Sequence, residues 1–81
     1  MIIITYSEQA FEALQMIEGF DRRAYHIALT LMQDKLAAFT EPGVVDTVVK
    51  FSVGNDSYTI SFAALVDGVT ADVTELGWEI A

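Results

Sequence analysis

The chain opens with Ile-Ile-Ile-Thr-Tyr at residues 2–6, a β-branched and aromatic run that predicts a short buried strand. Ser7 then offers a side-chain oxygen to the free amides of a helix start, and Glu8 suits the positive end of the helix dipole. Phe11, Leu14 and Ile17 follow at helical spacing until Gly19. Asp21 offers a second cap, after which Tyr25, Ala28, Leu29, Met32, Leu36 and Phe39 fall on one face of a longer helix that Pro42-Gly43 ends. So few residues separate the two patterns that a helical hairpin is expected, laid on one face of a sheet.

From Val44 the period changes to two. Val45, Thr47, Val49, Phe51 and Val53 line one face of a strand, with Asp46, Lys50 and Ser52 on the other. Gly54-Asn55-Asp56-Ser57 reads as a turn, Tyr58 to Val66 resumes the alternation, and Asp67-Gly68 reads as a two-residue hairpin loop before a strand from Val69 to about Leu76. These loops set Val53 opposite Tyr58, Phe51 opposite Ile60, Val66 opposite Val69, Ala64 opposite Ala71 and Phe62 opposite Val73. The helix-covered face then collects Val45, Val49, Phe51, Val53, Ile60, Phe62, Val66, Val69 and Val73. The open face carries Asp46, Lys50, Ser52, Thr59, Ser61, Thr70, Asp72 and Thr74, with Val48, Ala63, Leu65 and Leu76 among them. The expected class is α+β: a strand, a helical hairpin and a three-stranded antiparallel meander, the helices packed on one face. The periodicity gives the first strand no neighbour.

Composition narrows this picture. With 81 residues and 53% hydrophobic side chains, residues 1–81 form one domain with one core. A domain this small buries only about 60% of its unfolded surface. Without cysteine it has no disulfide to compensate, so a homodimer is one route to further burial. Twelve acids against four basic residues give a net charge of −8, which argues against direct nucleic-acid binding. The apolar start lacks a basic n-region and no run approaches a spanning helix, so a cytoplasmic protein without membrane contact is expected.

Two stretches carry a resemblance. Ile3-Ile4-Thr5-Tyr6-Ser7-Glu8-Gln9-Ala10-Phe11-Glu12-Ala13-Leu14 resembles the opening strand and helix of the RelE/ParE toxin superfamily, and Tyr58-Thr59-Ile60-Ser61-Phe62 resembles its aromatic-rich third strand. The resemblance implies a small curved sheet whose open face holds the functional groups and an antitoxin segment that wraps it. Ribonucleases of that superfamily use several Lys and Arg side chains on the sheet and near the C-terminus. After residue 40 this chain has only Lys50, the one position carried over as a relic of the basic strand, against seven acids. A toxin-like fold without toxin chemistry is the expectation.

Individual residues fit a binding role better than a catalytic one. Arg22, Arg23 and His26 share one helix surface and form the candidate anion contact, or a solvated face balancing Glu18 and Asp21. No catalytic pair is expected: Asp72 and Glu75 fall on opposite faces of a regular strand, and Asp56 and Asp67 serve turns. No metal-ligand or cofactor spacing is present. Tyr58 and Trp78 are the aromatics singled out for recognition, Trp78 either folding back on the core or anchoring an interface, while Tyr6 and Tyr25 are assigned to packing. The candidate protein-binding residues are Lys50, Ser52, Thr59, Ser61, Asp72, Thr74 and Trp78. They suit a non-enzymatic domain holding an antitoxin-like helix. An alternative is an acidic phage- or mobile-element inhibitor, of the anti-CRISPR or nucleic-acid-mimic type, that binds a basic nucleic-acid enzyme. A residual ribonuclease using Lys50, His26 and Arg22 or Arg23 is the enzymatic alternative.

Overall fold

The structure, a computed structural model, describes residues 2–81; Met1, the first residue of the expected domain, lies outside the described residues. The elements are β1 (Ile3–Tyr6), α1 (Glu8–Phe20), α2 (Arg22–Ala37), β2 (Gly43–Val53), β3 (Asp56–Val66) and β4 (Thr70–Ile80). This is the expected α+β class, with a helical hairpin and an antiparallel meander. The sheet order is β1-β4-β3-β2, and β1 runs parallel to β4, so the sheet is mixed.

Both helices start on acceptor caps. Ser7 Oγ accepts from the Ala10 amide at 3.2 Å, and Asp21 Oδ1 accepts from the Arg23 amide at 2.9 Å. Asp21 alone joins the helices, its own N–H closing α1 on the Ile17 carbonyl at 2.8 Å. α1 buries Ala10, Ala13, Leu14 and Ile17, and α2 buries Ala24, Ala28, Met32 and Leu36. The alanines let the helices approach the sheet closely. Phe11, expected in this stripe, is 53% exposed: the buried stripe of α1 runs through Ala10, Ala13, Leu14 and Ile17, and Phe11 lies about 100° round the helix from Ala10.

Both hairpin registers differ from expectation by two residues. Gly54-Asn55 alone forms the first loop, with Gly54 at φ +61°, so Val53 faces Asp56 and Phe51 faces Tyr58. In the second, Gly68-Val69 occupies the loop, so Val66 faces Ala71 and Val69 is exposed rather than in the core. A glycine at positive φ in the first central position is the signature of a type II′ hairpin. Asp67 supports the second loop: its carboxylate accepts from the amides of Val69 and Thr70, at 2.8 and 2.6 Å, and from the Thr70 hydroxyl. Those bonds hold the Asp67 carboxyl below its ordinary pKa. A shift of two preserves which face each side chain meets.

A shift of one does not, and β4 contains one. Ala63 faces Glu75 and Ala64 faces Val73, leaving Thr74 as the extra residue of a β-bulge. Phe62 therefore faces Leu76 rather than Val73. Before the bulge the odd residues Ala71 and Val73 point into the core; beyond it the even residues Leu76, Trp78 and Ile80 do. Leu76 is thus buried, not on the open face, and the strand runs on to Ile80. Burying Leu76 is worth about 2 kcal/mol.

Polar groups from the β1–α1 corner secure the bulged strand. β1 pairs with β4 only up to Val73, beyond which β4 has no strand on that side. The Ser7 amide donates to the Val73 carbonyl at 2.8 Å and its hydroxyl donates to the Thr74 carbonyl at 2.8 Å. Gln9 then takes both backbone groups of Leu76: Nε2 donates to its carbonyl and Oε1 accepts its N–H, each at 2.9 Å. A helix side chain thereby continues the ladder that β1 leaves off. Replacing Gln9 by Ala strands both groups; the expected result is a loss of about 1–3 kcal/mol in denaturant unfolding and faster hydrogen exchange at the Leu76 amide. Unchanged stability and exchange would remove this role from Gln9.

Candidate functional site on the open sheet face

One face of the sheet is covered by the helices; among the described residues the other has no layer above it. Alternation on β2 and β3, and the bulge on β4, decide what the open face presents. β2 contributes Val44, Asp46, Val48, Lys50 and Ser52; β3 contributes Ser57, Thr59, Ser61, Ala63 and Leu65. β4 contributes Thr70 and Asp72 before the bulge and Glu75, Gly77 and Glu79 after it, and β1 adds Ile3 and Thr5.

The centre is a shallow depression of about 540 Å³ bordered by Asp46, Val48, Ser61, Ala63, Glu75 and Gly77, with Gln9 at its β4 side. Its floor is low because Gly77 has no side chain and Ser61 and Ala63 are small. Apolar side chains share the face, Val48 at the border of the depression and Leu65 and Ile3 elsewhere, all three exposed. The charge is one-sided. Asp46, Asp72, Glu75 and Glu79 share the face with Lys50 alone. Asp72 Oδ1 accepts from the Thr5 hydroxyl at 3.0 Å, which leaves its second oxygen free for a partner.

Of the residues singled out in the sequence, Lys50, Ser52, Thr59, Ser61 and Asp72 lie together on this face. Thr74 sits half-buried in the bulge, with its hydroxyl on the Ala63 carbonyl at 3.4 Å. Asp72 and Glu75, expected on opposite faces, are on the same one because the bulge lies between them. Val44, Glu75, Gly77 and Glu79 were not among the sequence candidates. For Glu75, Gly77 and Glu79 the signal is the phase slip between Val73 and Leu76, where apolar positions change from odd to even; for Val44 it is its even position on β2.

The two recognition aromatics lie on the inner face. Tyr58 is 1% exposed, stacked on Phe51 at 5.1 Å between ring centroids and on Trp78 at 6.5 Å. Phe20 meets Tyr58 edge-on at 6.4 Å and Trp78 at 6.1 Å. Trp78 is half-buried in this cluster, so of its two expected roles the fold gives it packing. Tyr6 and Tyr25 are half-buried as expected.

Arg22, Arg23 and His26 are exposed on α2, in the helical layer, whereas Lys50 projects from the opposite side of the sheet. Arg23 pairs with Asp21 at 3.4 Å. The sheet therefore separates the basic groups that a ribonuclease site would bring together. Among the described residues no three His, Asp or Glu side chains are arranged to hold a metal ion, and no helix is long and apolar enough to cross a membrane.

The Tyr58 hydroxyl is buried without a hydrogen-bonding partner among the described residues. Burial raises its pKa above 10, Asp21 and Asp56 add to the rise, and Arg23 opposes it. A phenol that ionises later in the folded chain than in the unfolded one costs stability as pH climbs above about 10. Tyr58→Phe is therefore expected to match or exceed the parent by about 1 kcal/mol at neutral pH, and to lose less stability between pH 9 and 11. Thermal melts across that range check both; a destabilised variant at neutral pH would mean that the hydroxyl is satisfied in solution.

Comparison of the chain with protein-family models, with curated proteins and with solved structures gives no match.

Proposed function

We propose that this protein is a non-enzymatic protein-binding domain, RelE/ParE-like in architecture, whose open sheet face holds a partner with a basic surface. The observation that carries the reading is the composition of that face: four carboxylates against one lysine, with Asp46 and Glu75 bordering a shallow floor of small and apolar residues and Asp72 and Glu79 elsewhere on the same face. Carboxylates at the rim steer and orient a cationic partner, while Val48, Leu65 and Ile3 supply apolar area that gains from being covered. The order strand, two helices and meander supports the architectural part of the proposal. Placement of Lys50 and the Arg22, Arg23 and His26 cluster on opposite sides of the sheet favours binding over ribonuclease chemistry.

The partner class is a protein whose own ligand is an anion: an antitoxin-like helix with Lys and Arg along one side, or a nucleic-acid-binding enzyme whose groove these carboxylates occupy. The test is capture of partners from the native host at low salt, with elution at about 1 M salt, where the Debye length falls to about 3 Å. A basic protein that elutes with salt, and whose affinity falls at least about tenfold with Glu75→Lys/Glu79→Lys but not with Arg22→Ala/Arg23→Ala, is the expected outcome. Binding indifferent to the open-face charges would overturn the proposal. So would growth arrest on expression that Lys50→Ala relieves, because that outcome belongs to a ribonuclease.

A further inference from the structure

The sheet has two edges, and β2 is the long one. It runs eleven residues, Gly43–Val53, without proline or bulge, and among the described residues no element pairs with its outer side. The two-residue loop makes Val53 and Asp56 a hydrogen-bonded pair. Alternation from there turns the N–H and C=O groups of Val44, Asp46, Val48, Lys50 and Ser52 away from β3 and toward the free edge. Ser57 fits this phase, since it exchanges both of its backbone bonds with Ala81 on the β4 side, at 3.3 and 2.8 Å, and not with Ser52. Five consecutive ladder positions are thus open on β2. Exposed edges of this length are usually blunted or used.

We infer that β2 pairs antiparallel with β2 of a second copy of this chain, about a twofold axis at Val48, with Asp46 of each copy opposite Lys50 of the other. The argument is one of charge and register. Asp46 and Lys50 stand two residues to either side of Val48 on the same face, so an axis at Val48 makes two Asp–Lys pairs at once. Sliding the strands by two residues sets one charge of each chain against Val48. Sliding them by four sets Asp46 against Asp46 or Lys50 against Lys50, which is repulsive. Only the Val48-centred register satisfies both charges, and it places two exposed valines side by side at the axis. The interface is isologous, as a closed dimer requires. It extends the sheet to eight strands and leaves Asp72, Glu75 and Glu79 of both open faces free, while Asp46 and Val48, which the docking proposed above also uses, lie at the seam.

The chain has no cysteine, which makes thiol cross-linking a clean probe of the register. At the axis the two Val48 Cα atoms lie about 5.5 Å apart, within disulfide range, whereas the two Asp46 positions are about 13 Å apart along the strands. Mild oxidation should therefore link Val48→Cys into dimers and leave Asp46→Cys unlinked. Light scattering of the parent should give twice the 8.9 kDa chain mass. Asp46→Lys and Lys50→Asp should each raise the dimer dissociation constant about tenfold, and the double exchange should restore it, with circular dichroism reporting intact folds throughout. A parent that stays monomeric at about 100 μM, well above micromolar affinity, would overturn the inference and make Asp46 and Lys50 charges that keep the edge unpaired. Linking of Asp46→Cys in preference to Val48→Cys, or a double exchange no better than the single ones, would overturn the register.

Discussion

What the last strand presents to the core and to the open face depends on one extra residue within it. The side chains of a strand alternate strictly, and the apolar residues of β4 do not: Ala71 and Val73 are odd, Leu76, Trp78 and Ile80 even. A regular strand would bury one set and wet the other. The bulge at Thr74 resolves the conflict by absorbing the slip, so that both sets reach the core and Glu75 and Glu79 are sent outward together. Core and surface chemistry are therefore two results of a single backbone irregularity.

The irregularity needs support, because a bulge leaves backbone groups out of the ladder. Here it comes from the opposite end of the sequence. Ser7 caps α1 with the same hydroxyl that it donates to Thr74, and Gln9, in the first turn of that helix, takes both backbone groups of Leu76. The parallel pair β1–β4 is only four residues long, yet these two side chains extend its reach well into the second half of β4. This corner couples the start of the chain to the strand that decides the composition of the open face. Acids collected there repel polyanions and attract cationic surfaces, while the balanced Asp46 and Lys50 lie at the β2 edge. Under the two proposals, the acidic face and the mixed-charge edge would engage different partners.

Much of the fold was legible in the sequence, and the misreadings have local causes. Helical spacing, the Ser7 and Asp21 caps and the alternation of β2 and β3 predict the helical hairpin, the meander and the inner face of two strands. Both hairpin registers were displaced by two: Asp56 and Ser57, given to the first turn, belong to β3, and in the second hairpin Gly68-Val69 rather than Asp67-Gly68 forms the loop. Side-chain parity survived that error. It did not survive the bulge, which sent Leu76 to the wrong face and separated Asp72 from Glu75. Position β1-β4 was not readable at all, since a four-residue strand carries no mark of its neighbour and the pairing is fixed by Ser7 and Gln9 across 67 residues of chain. Tyr58, singled out for recognition by its type, is in fact the most enclosed aromatic, because its even position on β3 directs it under Phe20.

Single-cysteine accessibility along β4 tests the central claim most directly, because the parent chain contributes no thiol. Cysteines placed one at a time at residues 75, 76, 77, 78 and 79 would be labelled in the folded protein. With the bulge at Thr74, positions 75, 77 and 79 label rapidly, 76 is protected, and 78 is slowed. Rapid labelling at 76 and 78 with protection at 75 and 77 would mean that β4 runs on without the slip, and Glu75 and Glu79 would not stand on the open face.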